Sequence, residues 1–294
     1  MINRQALVGL IGGNIMKSLS PALHHDAFAA AGIDGFYHLM DVDKLPGRKL
    51  PQLLEAARTA GFAGTNVTFP FKQDVLALLD AVDPEARQIG AVNTVVFAPD
   101  GRSTGYNTDR RGFRRSFEEG LGRAAADGKT AVQVGAGGAG RAVAFALMDL
   151  GVARLILHDR EPAQVKALLA DLAAHFGAAR SQLSTDLAAE VAAVDGVVNA
   201  TPVGMAGIPG NPVPADALHK GQWAADVIYT PIETAFIKAA AAKGCRVLTG
   251  GGMCVHQAAE AFRLFTGIEP DSKRMHRVFA EALARRDGAL KEAV

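Results

Sequence analysis

The stretch VQVGAGGAG, residues 132–140, decides the fold class of this chain. Its apolar first half is typical of a buried strand. Gly135, Gly137 and Gly140 then follow in the G-x-G-x-x-G spacing, ahead of an alanine-rich helical segment. In that context the first glycine allows a tight turn, the second lets the main chain approach a pyrophosphate, and the third lets helix and strand pack closely. The stretch predicts a Rossmann-type unit whose helix N-terminus faces the phosphates of a dinucleotide.

An acidic residue at the end of the next predicted strand bears on which cofactor is used. The segment RLILHD ends in Asp159, which lies 159 − 140 = 19 residues beyond Gly140. An acid that binds the ribose hydroxyls is expected at a spacing of about 20. Because a carboxylate there repels a 2′-phosphate, NAD is favoured over NADP, although the neighbouring Arg160 is a group that accommodates such a phosphate. The alternative interpretation of Asp159 is a cap for the following helix.

Strand-like and helix-like segments alternate on both sides of the glycine stretch, which predicts an α/β fold with two domains. The predicted N-terminal domain is an α/β substrate domain with a mainly parallel sheet, spanning residues 1–110 and completed by C-terminal helices in 253–294. The predicted NAD-binding Rossmann-type domain spans residues 111–252. Within the first domain we expect a helix capped by Ser20 and a second helix that begins near Pro70.

Composition excludes several classes of function. The chain has 294 residues and a formal net charge of +1, so neither a basic face for nucleic acid nor an acidic tail is expected. Cys245 and Cys254 are too few for a disulfide framework and lack the companions of a zinc site, so no metal is predicted. The apolar run at the start is too short for a signal segment or a membrane span, and the cytoplasm is the expected compartment.

The candidates for proton transfer must lie outside the nucleotide fold. An alcohol that loses hydride to a nicotinamide also loses its hydroxyl proton, which requires a positioned acid or base. Lys72 and Asp109 stand out because short polar residues surround each of them in the sequence. Spacing alone leaves both open to structural interpretations, Lys72 as a solvated helix lysine and Asp109 as a helix N-cap.

Motifs along nearly the whole chain, from about residue 7 to residue 267, resemble those of the shikimate/quinate dehydrogenase family and keep the family order. They are SLSPALHHDAF, NVTFPFK, GAVNTVV, GYNTD, GAGGAGRA, NATPVGM and VHQAAEAFRLFTG. Each motif alone is unspecific, whereas the set is highly specific. The resemblance implies a substrate domain, a Rossmann-type cofactor domain, terminal helices that return to the first domain, and an active site in the cleft between the domains.

The resemblance also implies a role for individual residues. Lys72 and Asp109 match the catalytic pair of the family. The residues that match substrate contacts are Ser18, Ser20, Asn66, Thr68, Asn93, Tyr229 and Gln257. The residues that match cofactor contacts are Gly135, Ala136, Gly137, Gly138, Ala139, Gly140, Asp159, Arg160, Thr201, Met205, Val227 and Gly252. His24, His25 and His256 are interpreted as structural, because no spacing makes them ligands.

Departures from the family pattern refine the expected activity. The segment HDRE, which contains Asp159, differs from the asparagine-arginine pattern of many NADP-dependent members and resembles the NAD-using branch. Ser20 stands where some quinate-accepting members carry threonine, so shikimate is favoured and quinate remains the alternative substrate. A non-catalytic regulator that binds nucleotide and a shikimate-like ligand is a second alternative, against which the presence of both Lys72 and Asp109 argues. A small-molecule substrate is the expected partner, and a homodimer stays open.

Overall fold

The computed structural model describes residues 5–292, with side chains through residue 288. The chain divides into two compact units. The first unit combines the chain up to Thr108 with the chain from Val255 onward, and the second runs from Asp109 to Cys254. Within the described part of the chain, no helix is both long enough and apolar enough to cross a bilayer.

Strands and helices alternate along the chain. The elements up to the end of the N-terminal part are β1 (Gln5–Gly12), α1 (Ser20–Ala30), β2 (Asp34–Asp41), α2 (Leu50–Thr59), β3 (Gly64–Val67), β4 (Ala81–Val82), α3 (Pro84–Ile89), β5 (Thr94–Phe97) and β6 (Ser103–Tyr106). They are followed by α4 (Asp109–Gly120), β7 (Thr130–Val134), α5 (Gly138–Asp149), β8 (Arg154–His158), α6 (Pro162–Phe176), β9 (Ser181–Leu183), α7 (Leu187–Ala193), β10 (Gly196–Asn199), β11 (Trp223–Asp226), α8 (Ala235–Ala242), β12 (Arg246–Leu248), α9 (Gly251–Thr266) and α10 (Ser272–Glu292). Short 3-10 helices lie at Asp74–Leu78, Arg123–Ala125, Ala178–Arg180 and Ala215–Ala217.

The sheet of the first unit has the strand order β2-β1-β3-β5-β6-β4. Strand β1 pairs in parallel with β2 and β3, and β4 pairs in parallel with β6, whereas β5 runs antiparallel to both β3 and β6. The antiparallel pair β5–β6 forms a hairpin around the turn at residues 99–101. The carboxyl ends of β1, β3 and β6 therefore lie at the same edge of the sheet as the amino end of β5.

Both faces of this sheet are covered because β1 is apolar on alternate sides. Val8 and Leu10 pack in a cluster with Phe28 of α1 and Phe262 of α9. Ile11 packs on the other face, in a cluster with residues of α2 and the Asp74–Leu78 segment. A strand buried on both faces needs this near-continuous apolar run.

The start of α1 differs from the prediction. Ser20 is the first residue of the helix rather than its cap, and Leu19 occupies the cap position without a capping side chain. The hydroxyl of Ser18 accepts a hydrogen bond from the Ser20 N–H at 3.2 Å, which leaves the Ser20 hydroxyl outside the capping role. Pro21 stands in the first turn of the helix, and Gly32 ends the segment with φ +67°.

The segment after Pro70 also differs, because the predicted α-helix is replaced by turns and the 3-10 helix at Asp74–Leu78. The Leu76 N–H donates to the carbonyl of Gln73 at 3.2 Å, which is a spacing of three residues rather than four. The carbonyl of Lys72 instead accepts the N–H of Val92 at 2.7 Å. Because that carbonyl is committed to a distant segment, it is not available to a helix of its own.

The sheet of the second unit is parallel throughout, in the order β12-β11-β10-β7-β8-β9. Counted from β7, this is the doubly wound order 3-2-1-4-5-6, which reverses between β7 and β10. The predicted α/β class, with one mainly parallel sheet and one Rossmann-type sheet, is confirmed. Sequence reasoning missed β9, a three-residue edge strand without a distinctive apolar run. The predicted domain bounds, and the assignment of one ligand to each domain, stay predictions.

Candidate active site

The glycine stretch forms the turn between β7 and α5, at the carboxyl edge of the second sheet. Gly135 has φ +108°, and a Cβ there would lie 2.7 Å from the carbonyl carbon and oxygen of Ala200. At Gly140 a Cβ would lie 2.2 Å from the carbonyl oxygen of Gly135. Side-chain atoms are therefore excluded at both positions, as the motif predicts.

Gln133 holds this turn in place, a role that sequence reasoning did not identify. Its Nε2 donates to the carbonyl oxygens of both Gly135 and Gly140 at 2.8 Å each, and the side chain is fully buried. A polar residue in the middle of an apolar strand was the available signal, because a buried amide must find partners.

Asp159 follows β8 and contacts the same turn. Its carboxylate accepts the N–H of Ala136 at 2.8 Å and the N–H of Glu161 at 3.0 Å. An ionised carboxylate has about four acceptor positions, so two positions remain for ribose hydroxyls. Asp159 is half-buried, and the adjacent Arg160 is exposed. The structure thus brings the predicted ribose-binding acid against the predicted phosphate-binding turn.

The loops after β10 and β11 are organised by a buried polar cluster. The Asn199 Oδ1 accepts the N–H and the hydroxyl of Thr201, at 3.0 and 2.7 Å, and its Nδ2 donates to Asp226 at 3.2 Å. The hydroxyl of Thr234 donates to the other oxygen of Asp226 at 2.7 Å. Burial raises the pKa of Asp226 to about 6, against the lowering effect of these hydrogen bonds.

The remaining predicted cofactor residues of the second unit lie on these loops and at the start of α9. Thr201, Met205 and Val227 are half-buried, and Met205 forms a bridge with Ile208 that closes its loop. Gly252 is the second residue of α9, where a Cβ would lie 2.3 Å from the hydroxyl of Ser116. Packing against Ser116 by itself therefore favours glycine at that position.

In the first unit the predicted substrate residues collect at the edge where β1, β3 and β6 end. Thr68 follows β3, and its N–H donates to Ile11 of β1 at 3.0 Å. Asn93 precedes β5, and its carbonyl accepts the N–H of Val67 at 2.8 Å. The carbonyl of Lys72 accepts the N–H of Val92 at 2.7 Å, which ties the segment that carries Lys72 to the same edge.

Ser18 lies in the loop that leaves β1 from this edge, and Ser20 is the first residue of α1. Ser18 is half-buried and Ser20 is buried, and the Ser18 hydroxyl donates to the Ser20 hydroxyl at 3.1 Å. Each hydroxyl carries one O–H, so both serines can donate to a carboxylate once the Ser18 hydrogen turns from Ser20 to the ligand. The loop is held by Asp41, whose carboxylate accepts the N–H groups of Asn14 and Ile15 at 3.2 and 3.0 Å.

Asn66 and Asn93 belong to one buried hydrogen-bond network. The Asn66 Nδ2 donates to the carbonyl of Asn93 at 3.2 Å and to the hydroxyl of Thr94 at 2.9 Å. The Asn93 Oδ1 accepts the Thr94 hydroxyl at 3.0 Å and the Thr108 N–H at 2.9 Å. The Asn93 Nδ2 donates to the Thr108 hydroxyl at 2.9 Å, and that hydroxyl lies 3.5 Å from the Gln257 Oε1. Three predicted substrate residues are thus joined through threonines.

Tyr37 completes this network and was not among the predicted site residues. Its hydroxyl donates to the Asn66 Oδ1 at 2.9 Å, and its side chain is 2% exposed. Thr94 and Thr108 were missed as well, although Thr108 stands inside the quoted motif GYNTD. From the sequence alone, a tyrosine on a strand is interpreted as a core residue. Only the fold shows where its hydroxyl points.

Two further predicted residues belong to the second unit. Asp109 is its first residue, begins α4, and is 4% exposed. Tyr229 follows β11 and is half-buried. The pairing of Lys72 with Asp109, and the contact of Tyr229 with substrate, stay predictions.

The three histidines interpreted as structural all lie in the first unit. His24 is fully buried against the ring of Tyr37, with ring centroids 4.5 Å apart, and burial lowers its pKa to about 3. His25 accepts the N–H of Tyr37 at its Nε2, at 2.9 Å, and burial lowers its pKa as well. The Nε2 of His256 lies 3.4 Å from that of His276.

Comparison with known protein families gives two matches that flank the glycine turn. Residues 10–95 match the model described as the shikimate dehydrogenase substrate binding domain. Residues 250–278 match the model described as the shikimate 5′-dehydrogenase C-terminal domain. The first match contains the serines, Asn66, Asn93 and Lys72, and the second contains Gly252 and Gln257.

Curated relatives cover nearly the whole chain but differ in their cofactor. A quinate/shikimate dehydrogenase (NAD⁺) of Corynebacterium efficiens is 48% identical over 277 residues, which are 93% of this chain and 97% of the relative. A shikimate dehydrogenase (NADP⁺) of Streptomyces avermitilis is 48% identical over 279 residues, which are 94% and 95% of the two chains. The solved structure of quinate dehydrogenase from Corynebacterium glutamicum in complex with NAD matches with a TM-score of 0.86 and 45% identity, over 94% of this chain and 99% of that one.

Proposed function

Because this chain belongs to the shikimate dehydrogenase family, in which we place it as a nicotinamide-dependent shikimate/quinate dehydrogenase, we propose that it oxidises shikimate with NAD. In the proposed reaction shikimate and NAD⁺ give 3-dehydroshikimate and NADH, and the reverse reaction uses the same groups. Three parts of this proposal go beyond the family assignment. They are the preference for NAD, the identity of the ring substrate and the residues that transfer the proton.

Asp159 carries the cofactor part of the proposal. Its carboxylate stands at the end of β8 and accepts the N–H of Ala136 in the glycine turn. A fixed negative charge at that position binds ribose hydroxyls and repels a 2′-phosphate. The relatives named above include both NAD⁺ and NADP⁺ enzymes, so the local charge around Asp159 supports NAD where the family alone does not.

Lys72 and Asp109 carry the chemical part. We propose that the C3–H bond of shikimate breaks with its electron pair going to C4 of the nicotinamide, while the C3 hydroxyl proton passes to the Lys72 and Asp109 pair. An ammonium beside the oxygen stabilises the negative charge that develops there, and a carboxylate partner keeps the lysine oriented. The segment that carries Lys72 is tied by the Val92 N–H to the edge where the other predicted substrate residues collect.

The substrate part rests on the polar residues of that edge. The hydroxyls of Ser18 and Ser20, in mutual contact at 3.1 Å, suit a carboxylate on the ring. The amides of Asn66 and Asn93 suit ring hydroxyls, and we propose these contacts for shikimate. Quinate is the alternative substrate, because relatives with 48% and 45% identity carry quinate in their names.

The test is a grid of four assays that follow NADH or NADPH absorbance with shikimate or quinate and with NAD or NADP. The proposal expects the highest kcat/KM for shikimate with NAD. A higher value for quinate with NAD would replace the substrate but keep the cofactor. A higher value with NADP would contradict the role given to Asp159.

A further inference from the structure

We propose that Tyr37 is a positioning residue for the ring substrate, because its hydroxyl orients the Asn66 amide so that the amide oxygen accepts a hydrogen bond from a substrate hydroxyl. This inference rests on the proposed function. It adds a residue outside the predicted site, and it assigns a direction to the hydrogen bonds that Asn66 and Asn93 make with substrate.

The orientation of the Asn66 amide follows from its partners. The carbonyl of Asn93 can only accept a hydrogen bond, so the Asn66 atom 3.2 Å from it is the amide nitrogen. The second amide hydrogen goes to the Thr94 hydroxyl at 2.9 Å. Both donors of Asn66 are therefore used within the protein. The Oδ1, which accepts the Tyr37 hydroxyl at 2.9 Å, keeps one further acceptor position. Toward a ligand, Asn66 is an acceptor.

The Asn93 amide offers a ligand the opposite hydrogen-bonding group from that of Asn66. The N–H of Thr108 can only donate, so the Asn93 atom 2.9 Å from it is the amide oxygen. The same oxygen accepts the Thr94 hydroxyl at 3.0 Å, which fills its two acceptor positions. One hydrogen of the Asn93 Nδ2 goes to the Thr108 hydroxyl at 2.9 Å, and the other goes to no residue that the structure describes. Toward a ligand, Asn93 is a donor.

Contacts with α1 fix the position of the Tyr37 side chain and its hydroxyl. Its side chain is 2% exposed on β2, and the ring of His24 stacks on it with an interplanar angle of 27°. Its main-chain N–H donates to the Nε2 of His25 at 2.9 Å, which ties the strand to α1. Because the main chain and the ring of Tyr37 are both held in place, its hydroxyl loses little conformational entropy when it donates to Asn66.

The two amides together select substrates by hydrogen-bond direction. A ring hydroxyl that faces Asn66 must donate, and one that faces Asn93 must accept. Because a site that pairs with a substrate hydroxyl discriminates strongly against analogues that lack it, the pair contributes to specificity as well as to binding.

The experiment compares Tyr37→Phe with Tyr106→Phe, which removes the same phenolic hydroxyl elsewhere in the first unit. Tyr106 contacts Asn93 through its main-chain carbonyl, at 3.0 Å, and that contact is kept in the variant. For Tyr37→Phe we expect the KM for shikimate to rise about tenfold, as for a lost buried hydrogen bond, with kcat and the KM for the dinucleotide within about twofold. Tyr106→Phe is expected to leave all three within about twofold.

The route through Asn66 is tested in the Asn66→Ala background and with deoxyfluoro analogues of shikimate used as inhibitors. If Tyr37 acts through Asn66, Tyr37→Phe changes the KM by less than about twofold once Asn66 is alanine. Fluorine can accept a hydrogen bond but cannot donate one. The analogue that carries fluorine in place of the hydroxyl facing Asn66 is therefore expected to bind poorly to the wild type and no worse to Tyr37→Phe. An equal Tyr37→Phe penalty in both backgrounds, or for every analogue, would overturn the proposal.

Calorimetric titration with shikimate separates this proposal from the proposed function. A wild type that binds shikimate but transfers no hydride counts against the function alone. A Kd for shikimate that is unchanged in Tyr37→Phe counts against the positioning role, whatever the turnover.

Discussion

Lys72 takes its place in the first unit from its main chain and not from a helix. Its carbonyl accepts the N–H of Val92 at 2.7 Å, whereas the 3-10 helix begins two residues later at Asp74. The side chain itself is half-buried. A substitution at residue 72 therefore removes the ammonium group while the main-chain bond that places it is kept, which makes this residue suitable for a test of chemistry.

Replacing Lys72 with alanine is expected to lower kcat by about 10²- to 10⁴-fold with a milder change in the KM for shikimate, because a positioned proton-transfer group is lost. Steady-state kinetics with shikimate and NAD measure the effect. Lys44→Ala, at an exposed lysine of the same unit, is the control. Turnover of Lys72→Ala close to that of the control would remove Lys72 from the chemistry.

Asp159 combines two roles that two substitutions separate. Asp159→Ala removes both the acceptor of the Ala136 N–H and the proposed ribose contact, so the KM for NAD is expected to rise by about tenfold or more. Asp159→Asn keeps an acceptor and removes the charge, so it should lower the KM for NADP while affecting NAD less. The ratio of kcat/KM for the two cofactors is the measurement. If neither variant shifts that ratio, Asp159 does not select the cofactor.

His24 makes the stability of the first unit depend on pH. Its pKa is lowered to about 3 in the folded chain from the ordinary 6.5. Above pH 6.5 both states are neutral. As the pH falls below 6.5, the unfolded chain binds a proton that the folded chain does not, so the free energy of unfolding falls.

The His24→Phe variant keeps a ring against Tyr37 but has no titratable group there. Its free energy of unfolding therefore lacks this pH-dependent loss. Between pH 6.5 and 4.5 the wild type is expected to lose up to about 3 kcal/mol more than the variant, at 1.36 kcal/mol per pH unit. Urea unfolding at pH 7 and pH 4.5 gives both values. Equal losses in the two proteins would mean that His24 is protonated, or reaches solvent, in the folded state.

At the scale of elements, the turn between β7 and α5 shows two different reasons for glycine. Gly140 lies against the turn, where a Cβ would meet the Gly135 oxygen at 2.2 Å. Gly137 lies open, and a Cβ there would meet only the Gln164 Oε1 at 3.9 Å. The first glycine is required by packing of the helix on the strand, and the second is available for the close approach of a ligand.

Alanine substitutions at these two glycines should therefore separate stability from cofactor binding. Gly140→Ala is expected to cost about 1–3 kcal/mol of stability, because α5 must move away from the turn. Gly137→Ala should keep its melting temperature and lose affinity for NAD, since only the ligand side is crowded. Thermal melting and calorimetric titration with NAD measure the pair. The same stability loss in both variants would contradict the assignment.

At the scale of the whole molecule, the first unit is assembled from both ends of the chain. Helix α10 packs on α1, and Met275 is 1% exposed. Arg274 donates to both carboxylate oxygens of Asp26, at 2.7 and 2.8 Å, and lowers the pKa of Asp26. The second unit has its own core, which contains residues of β7, β10 and α8 and none from α10.

Deleting residues 271–294 is therefore expected to weaken shikimate binding while NAD binding by the second unit persists. The physical reason is that α1, which begins at Ser20, loses its packing partner. Calorimetric titration with each ligand measures the effect. Arg274→Ala is the control, because an exposed ion pair contributes little to stability. Equal loss of both ligands would show that the units do not fold independently.

The parts of the fold that sequence reasoning predicted correctly depend on short-range rules. The glycine spacing, the strand before it and the acid 19 residues after Gly140 are encoded within one βαβ segment, and the structure brings Asp159 against that turn. The 3-10 segment at Asp74–Leu78 was mispredicted, because Val92, which is distant along the chain, donates to the carbonyl of Lys72. The start of α1 was mispredicted by one residue, because the Ser18 hydroxyl accepts the N–H of Ser20.

The sequence by itself determined the α/β class, the family and the polar residue types available to a site, since motif order and hydrophobic alternation are properties of the chain. Only the tertiary structure decided that Tyr37 reaches Asn66, that the Asn66 amide nitrogen donates to the carbonyl of Asn93, and that the Asn93 amide oxygen accepts the N–H of Thr108. The reason is that the direction of an amide is set by its partners. Those partners come from strands that are distant along the chain and meet only when the sheet forms.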